Sequence, residues 1–500
     1  MKSITRLPFH ALILALLLLI VSGCSDDSTG PENSDATAPA QITNLSVVAS
    51  TDNTVTLSWT ATGDDGDTGT ADRYDLRYSF SFINTSNWDS ATQYSGEPSP
   101  QEADSTETFT VTGLTQDSTY YFAIKAIDDG ANASTISNCV NATCIYDFVV
   151  TFTDSYLEAA VRDELSIPTG DIHRTDALLL TELLAINVGI ESMSGLEHCT
   201  ELTSLNLSDN YIEDLSPLEG LTNLTQLYLG SNVIDNLDPI DGLTGLTHLS
   251  LWGNYIDDIS ALSGLTGLQV LSLSENTIDD LSPLANMTNL EVLIIGSNAI
   301  DDVSPLAGLT ALTWLTMENC YIDNIAPLAT LTNLETLYLD DNFIINISAL
   351  SSMTSLADLN LEYNEIVNLT PLAGLTSLTS LELESNYIVN VSSLSGLTAL
   401  THLNLGDNQI VDISTLSTLT NVTDFDLSYN QIVVIGALEF LTNLEALDLS
   451  SNAVIDIEPL VDNAGIATGD EVSLEYNNLS TQSTDVYIPA LEARGVTVYY

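Results

Sequence analysis

From about residue 200 the chain carries apolar side chains at fixed offsets that return every 22 residues. In Leu202-Thr-Ser-Leu205-Asn-Leu207-Ser-Asp-Asn210 apolar and polar positions alternate, the period of a short strand whose leucines point inward. The same nine places return with the final Asn at 232, 254, 276, 298, 342, 364, 386, 408, 430 and 452, and with Cys320 on the same grid. Each unit continues as in Ile212-Glu-Asp-Leu215-Ser-Pro217-Leu218, where apolar residues three apart suit a tight 3₁₀-like return. No unit can bury its own leucines, so neighbours must stack into a solenoid with a continuous parallel sheet along one wall. The pattern predicts twelve units over residues 202–460.

The ninth-place Asn has both a donor and an acceptor and can satisfy backbone groups freed where the strand turns. Asn210, Asn232, Asn254, Asn276, Asn298 and Asn342 are therefore read as structural, and Cys320 as a small buried substitute. Ahead of the array, 146–201 reads as an N-terminal cap: an amphipathic helix from Phe152 to Arg162, then Leu180 to Ile190 on the repeat grid with Val188 in the Asn place. Beyond Leu460 the period breaks, and 461–500 reads as a C-terminal cap with a helix over Tyr487 to Arg494 and a last strand over Val496 to Tyr500.

The pattern over 39–145 is different. Short alternating runs such as Val55-Thr-Leu57-Ser-Trp59 and Tyr120-Tyr-Phe122-Ala-Ile124, separated by turn residues, indicate an antiparallel β-sandwich. Trp59 on an early strand, Tyr74 to Tyr78 on a middle one, and Leu114 followed six residues later by Tyr120 resemble a fibronectin type III module. That resemblance puts Trp59 in the core and Tyr120 in a tyrosine corner, although Gln116 stands where the family usually has Pro. The array, with Leu215-Ser-Pro-Leu218 and Val303-Ser-Pro-Leu306 on one grid, resembles the internalin-like class of bacterial leucine-rich repeats. This implies a domain that binds proteins. The fold class expected is a fibronectin type III sandwich followed by a leucine-rich repeat solenoid.

The first 23 residues carry Lys2 and Arg6 and then an apolar run from Ala11 to Val21, the pattern of an export signal. The run ends in Val21-Ser-Gly-Cys24, which resembles a bacterial lipobox and implies a lipid on Cys24; Ser25 favours the outer membrane. Residues 24–38 are rich in Ser, Thr, Asp and Pro and read as a tether. An exported, cell-envelope or cell-surface lipoprotein follows, held to the membrane through the lipid alone.

Charge narrows the partners. With 69 acidic and 8 basic side chains the net charge is -61, and no Lys or Arg stands between Arg174 and Arg494. Nucleic acid is excluded as a partner, since phosphate binding needs clustered cations. The third, fifth, seventh and eighth strand places project from the exposed, concave face, where Tyr228, His248, Trp252, Val270, Val292, Ile294, Trp314 and Tyr338 gather in the first half. Apolar and aromatic groups on an exposed sheet mark a binding surface, or else support one another across strands. In the second half Asp358, Glu362, Glu382, Glu384, Asp424, Asp426 and Asp448 make that face acidic, so a protein ligand there would be basic, or bridged through cations.

The twelfth place divides the array again: acidic in six units, as in Asp257, Asp279 and Asp301, then Ile345, Val367, Val389, Val411, Val433 and Ile455. The carboxylate ladder is a candidate for weak calcium or salt stabilisation, and Asp64, Asp65 and Asp67 in a Gly-rich turn are weak metal candidates against a plain solvated turn. No other cofactor is implied. Cys139 and Cys144 are near enough for a small disulfide loop, unless strand geometry sets them on opposite faces. No enzyme motif is present, and His248 and His402 lie seven repeats apart, so no catalytic residue is assigned. The expected function is a non-enzymatic surface receptor or adhesin; the alternative is a structural or carbohydrate-binding envelope protein without a single protein partner.

Overall fold

A computed structural model describes residues 36–500; the export signal, Cys24 and the tether as far as residue 35 lie outside the described residues. The chain forms two compact units that meet in sequence at Tyr146 and Asp147.

The first unit is a sandwich of seven strands: β1 (Ser46–Ser50), β2 (Thr54–Thr60), β3 (Arg73–Ser79), β4 (Thr92–Gln93), β5 (Thr106–Thr112), β6 (Ser118–Ile127) and β7 (Val140–Cys144). One sheet has the order β1-β2-β5 and the other β4-β3-β6-β7. Strand alternation turns Val55, Leu57 and Trp59 inward against Tyr74, Leu76, Phe122 and Ile124. The Trp59 and Tyr74 rings meet edge to face at 5.2 Å. Tyr120 is buried, and its hydroxyl oxygen accepts from the Thr115 amide at 3.0 Å, the bond of a tyrosine corner.

One expectation about this unit is corrected. Cys139 and Cys144 are both free thiols. Cys144 ends β7 inside the main core, whereas Cys139 packs against a smaller cluster of Ile83, Trp88 and Ala123. Five residues of extended chain separate them by about 16 Å, beyond the Cα spacing a disulfide spans. The Gly63 to Gly69 segment is a turn closed by its own backbone, with Gly63 N bonded to Gly66 O at 2.9 Å and Asp64 N to Thr68 O at 2.8 Å. Gly66, at φ 61°, sits where a side chain would strain the backbone.

The second unit opens with α1 (Ser155–Glu164), capped by Asp154, whose one oxygen accepts from Tyr156 and Leu157 while the other accepts from Glu191 and Ser192. That one carboxylate ties the cap helix to the first turn of the array. A short α2 (Arg174–Ala177) follows. The sheet then adds fifteen parallel strands in chain order, from β8 (Glu182–Leu184) through twelve three-residue strands that start with Ser204–Asn206 and end with Ala446–Asp448, to β21 (Glu471–Ser473) and β22 (Thr497–Tyr499). The twelve strands pair between residues 22 apart, as Gln226 with His248 and Asp424 with Ala446. The last pairings step by 25 and then 26, so the stacking outruns the regular sequence period. A short α3 (Glu458–Asp462) precedes β21, and α4 (Ile488–Ala493) lies between β21 and β22.

The Leu and Ile rows form one continuous core beneath the sheet. The ninth-place Asn side chains form a row that bonds backbone carbonyls of the preceding unit. Asn364 donates to the Leu339, Leu361 and Glu362 carbonyls at 2.9, 3.2 and 3.0 Å and accepts from the Ile344 amide at 2.9 Å, so it stitches two units together. The row continues to Asn477, which donates to Leu449 and accepts from Val454. The eighth place is left-handed throughout, for example Asp209 at φ 59° and Tyr363 at φ 52°, because the chain must reverse there to present the Asn.

Candidate protein-binding face

The parallel register sets the open-face side chains of the sheet in straight rows. One row runs His248, Val270, Val292, Trp314 and Thr336, and the next runs Tyr228, Ser250, Ser272, Ile294, Thr316 and Tyr338. Val270, Val292 and Trp314 are therefore direct neighbours, with Ile294 beside them. The Trp314 and Tyr338 rings lie 6.1 Å apart. Tyr228 stands five strands from Tyr338, about 24 Å along the row. Trp252 comes from a seventh place and lies across Gly230, where any Cβ would overlap its indole. His248 Nδ1 shares a hydrogen with Thr247 Oγ1 at 2.9 Å. Tyr228, His248, Trp252, Val270, Val292, Ile294 and Tyr338 are half-buried, Thr316 and Thr336 are buried, and Trp314 is 40% exposed.

The second half of the face is a coupled set of carboxylates. Glu318, Asp340, Glu362 and Glu384 occupy the seventh place in four consecutive units; of these, Glu318 and Asp340 emerge only when the seventh places are stacked. Asn404 donates from one nitrogen to Glu362 Oε1 at 2.8 Å and Glu384 Oε2 at 3.1 Å. Burial, and then the neighbouring Glu382, Glu384 and Asp340, push Glu362 up to about 7, with the Asn404 bond pulling the other way. Burial also raises Glu382, Asp426 and Asp340. A recess of about 220 Å³ lies among Glu382, His402, Asn404, Asp424 and Asp426. Carboxylates that resist ionisation because they are buried and, after that, because they crowd one another are relieved by a proton or by a cation.

Two features lie beside this face. Ile345, Val367, Val389, Val411, Val433 and Ile455 form an exposed apolar row, each between 40% and 59% exposed. A single backbone bridge, Asp412 to Val434, is the only described pairing along it. The tenth places add exposed aromatics that the sequence reading did not single out, although their spacing is visible in it: Tyr211, Tyr255, Tyr321, Phe343 and Tyr387, with Tyr321 and Phe343 stacked at 6.4 Å. Asp257, Asp279 and Asp301 are exposed at the twelfth place, and the next residues, as Asp280, accept from the first amide of the 3₁₀ turns. Among the described residues no group of three or more His, Cys, Asp or Glu is arranged to hold a metal ion. Also among them, no helix is long and apolar enough to cross a membrane.

Comparison with known proteins agrees with this architecture. The family described as Leucine Rich repeats (2 copies) matches residues 200–242, 244–286 and 376–418. The Fibronectin type III domain family matches residues 38–140. An internalin from Listeria monocytogenes is similar at 37% identity, with a TM-score of 0.61, over 63% of this chain and 94% of that one. A leucine-rich repeat protein from Leptospira interrogans shares the fold at 19% identity and a TM-score of 0.55, over 65% of this chain and 97% of that one. Calcium-activated chloride channel regulator 1 from Sus scrofa matches at 34% identity over 110 residues, which spans 21% of this chain and only 12% of that protein.

Proposed function

We propose, for a chain that belongs to the leucine-rich repeat proteins with internalin-like repeats and carries a fibronectin type III domain, a non-enzymatic surface role: it binds a protein whose contact segment is basic, on the open face of the repeat sheet. The observation that carries this reading is the contiguity of an aromatic and apolar patch, centred on Trp314 and Tyr338, with a crowded carboxylate set from Asp340 to Asp426. Aromatic side chains supply contact area at low entropic cost, and Lys or Arg from a partner relieves the carboxylates. The lipobox-like Val21-Ser-Gly-Cys24 supports lipid anchoring, and the tether supports display away from the envelope. An adhesin or receptor fits these features.

The test is a panel of immobilised Lys/Arg-rich, neutral and Glu-rich peptides probed with the protein. Selective capture by the basic set, weakened by salt and by Trp314→Ala or paired Glu382→Gln and Glu384→Gln changes, is expected. Equal capture by all sets, or capture indifferent to these substitutions, overturns the reading and leaves a structural envelope role.

A further inference from the structure

Among the described residues three oxygens on the open face of the repeat sheet are shut from water and have no hydrogen-bond partner, and two of them, Thr316 Oγ1 and Glu318 Oε2, belong to one unit. The residues are two apart at the end of one strand, Trp314–Thr316, so both point to the same face. Thr316 is 6% exposed and pairs with Ile294 on one side and Tyr338 on the other. The Glu318 carboxylate lies over Gly296, where a Cβ would overlap it, so the missing side chain makes the room. The buried Asn row of the array is satisfied, and the third oxygen, Ser274 Oγ, is a lone unpartnered hydroxyl at the seventh place two units earlier. Leaving a buried acceptor unmade costs about 1–3 kcal/mol, and more for a charged one. Other units carry Ser or Gly at the seventh place, so the fold does not require Glu there.

We infer that this pair is the subsite for one arginine side chain of the protein partner. The inference deepens the reading of the open face given above and rests on it. A planar guanidinium has several N–H donors in a fixed fork, enough to serve Glu318 Oε2 and Thr316 Oγ1 together, and it stacks on aromatic rings. Trp314 and Tyr338 stand beside the pair to provide such a ring. A lysine offers a compact charge without the planar face. Because both oxygens are closed off, neighbouring side chains give way on binding, and Trp314, the exposed ring beside the pair, is the one that reports it.

The chain has four tryptophans, so 5-fluorotryptophan labelling gives four ¹⁹F signals, with Trp314 assigned through Trp314→Phe. Titration with N-acetyl-arginine methylamide is expected to move the Trp314 signal to saturation and to leave those of Trp59 and Trp88 in place. The citrulline analogue, the same shape without charge, is expected to leave all four unmoved. Glu318→Gln should weaken the arginine response about tenfold or more, the loss of one charge-assisted bond, and Thr316→Val less. An unchanged Trp252 signal in each ligand-free variant, from the ring packed across Gly230 within the array itself, reports that the array is folded. Equal responses to arginine and citrulline, or a Glu318→Gln variant that binds as the native chain does, overturn the subsite. If arginine fails here while basic peptides still bind in a manner dependent on Glu382 and Glu384, the subsite falls and the proposed function stands.

Discussion

The hydroxyl of Tyr338 donates to Asp358 at 2.7 Å, one strand further along the sheet. Burial, this bond and the nearby carboxylates together push the phenol up to about 12. Removing the hydroxyl leaves Asp358 without that donor, so Tyr338→Phe should destabilise the array by about 1 kcal/mol. The difference in alkaline ultraviolet titration between the native chain and Tyr338→Phe should show one phenolate that forms only near pH 12. A difference spectrum that rises near pH 10 contradicts the bond.

Glu362 should make the protein less stable as pH rises through neutrality. Its folded-state value, about 7, lies above the 4.5 of a free carboxyl. The stabilisation is therefore complete below about pH 4.5 and is lost as pH rises through about 7, where the crowded site must ionise. Partial exposure and screening reduce the effect to about 1–2 kcal/mol. Melting temperature should fall between pH 5 and pH 8, and Glu362→Gln should flatten that slope while raising the midpoint at pH 8. An unchanged slope in the variant assigns the effect elsewhere.

These carboxylates also mark where the sequence stops being legible. The repeat, its buried leucines and the Asn row could be read directly, because every unit must offer its neighbours the same contacts and so repeats the same letters. Tyr120 and Trp59 could be read for a similar reason, each filling a place only a large ring with a fixed geometry can fill. The coupling among Asp340, Glu362 and Glu384 could not, since it exists only once residues 22 apart are stacked on one face. Asn477 was hidden because the chain lengthens by three residues before β21, moving it off the grid although its bonds are those of the row. The separation of Cys139 from Cys144 depended on an odd strand offset that composition does not reveal.

Cys320 is the gap in the Asn row. Its thiol donates to the Glu318 carbonyl at 3.5 Å, a weaker bond than an amide makes, while the carbonyls of Ile295 and Met317 are served by Asn298 and Asn342 instead. The loss is therefore cushioned, and Cys320→Asn should raise stability by about 1 kcal/mol. Asn364→Ala should instead cost about 3 kcal/mol or more, because it strips three carbonyls and one amide of a shared partner in the interior. Chemical denaturation of both variants checks the pair; equal effects would mean the row is not a stitch.

Tyr363 and Tyr429 sit in left-handed backbone, at φ 52° and 50°, where Gly253 stands at φ 66° in an earlier unit. A side chain in this region is strained by contact between its Cβ and the backbone, and glycine is not. Tyr363→Gly should therefore stabilise the array by up to about 1 kcal/mol, despite losing an exposed ring. Ala at the same position keeps the Cβ and should give none of this gain. Thermal melting of the two variants separates relief of strain from loss of the ring.

The twelfth-place acids make the last case, because the array offers them no internal cation: no Lys or Arg lies between Arg174 and Arg494. Asp257, Asp279 and Asp301 stack about 4.8 Å per strand and are all exposed, so their repulsion is open to screening. Added NaCl should raise the melting temperature, and Asp279→Asn should raise it at low salt and hardly at all in 1 M NaCl. We propose that calcium acts here as a weak, diffuse counter-ion, with magnesium equally effective at the same ionic strength. EDTA alone should then change nothing. A calcium effect that magnesium does not reproduce would require an ordered site, and a midpoint indifferent to salt would show that the acids stand too well solvated to repel.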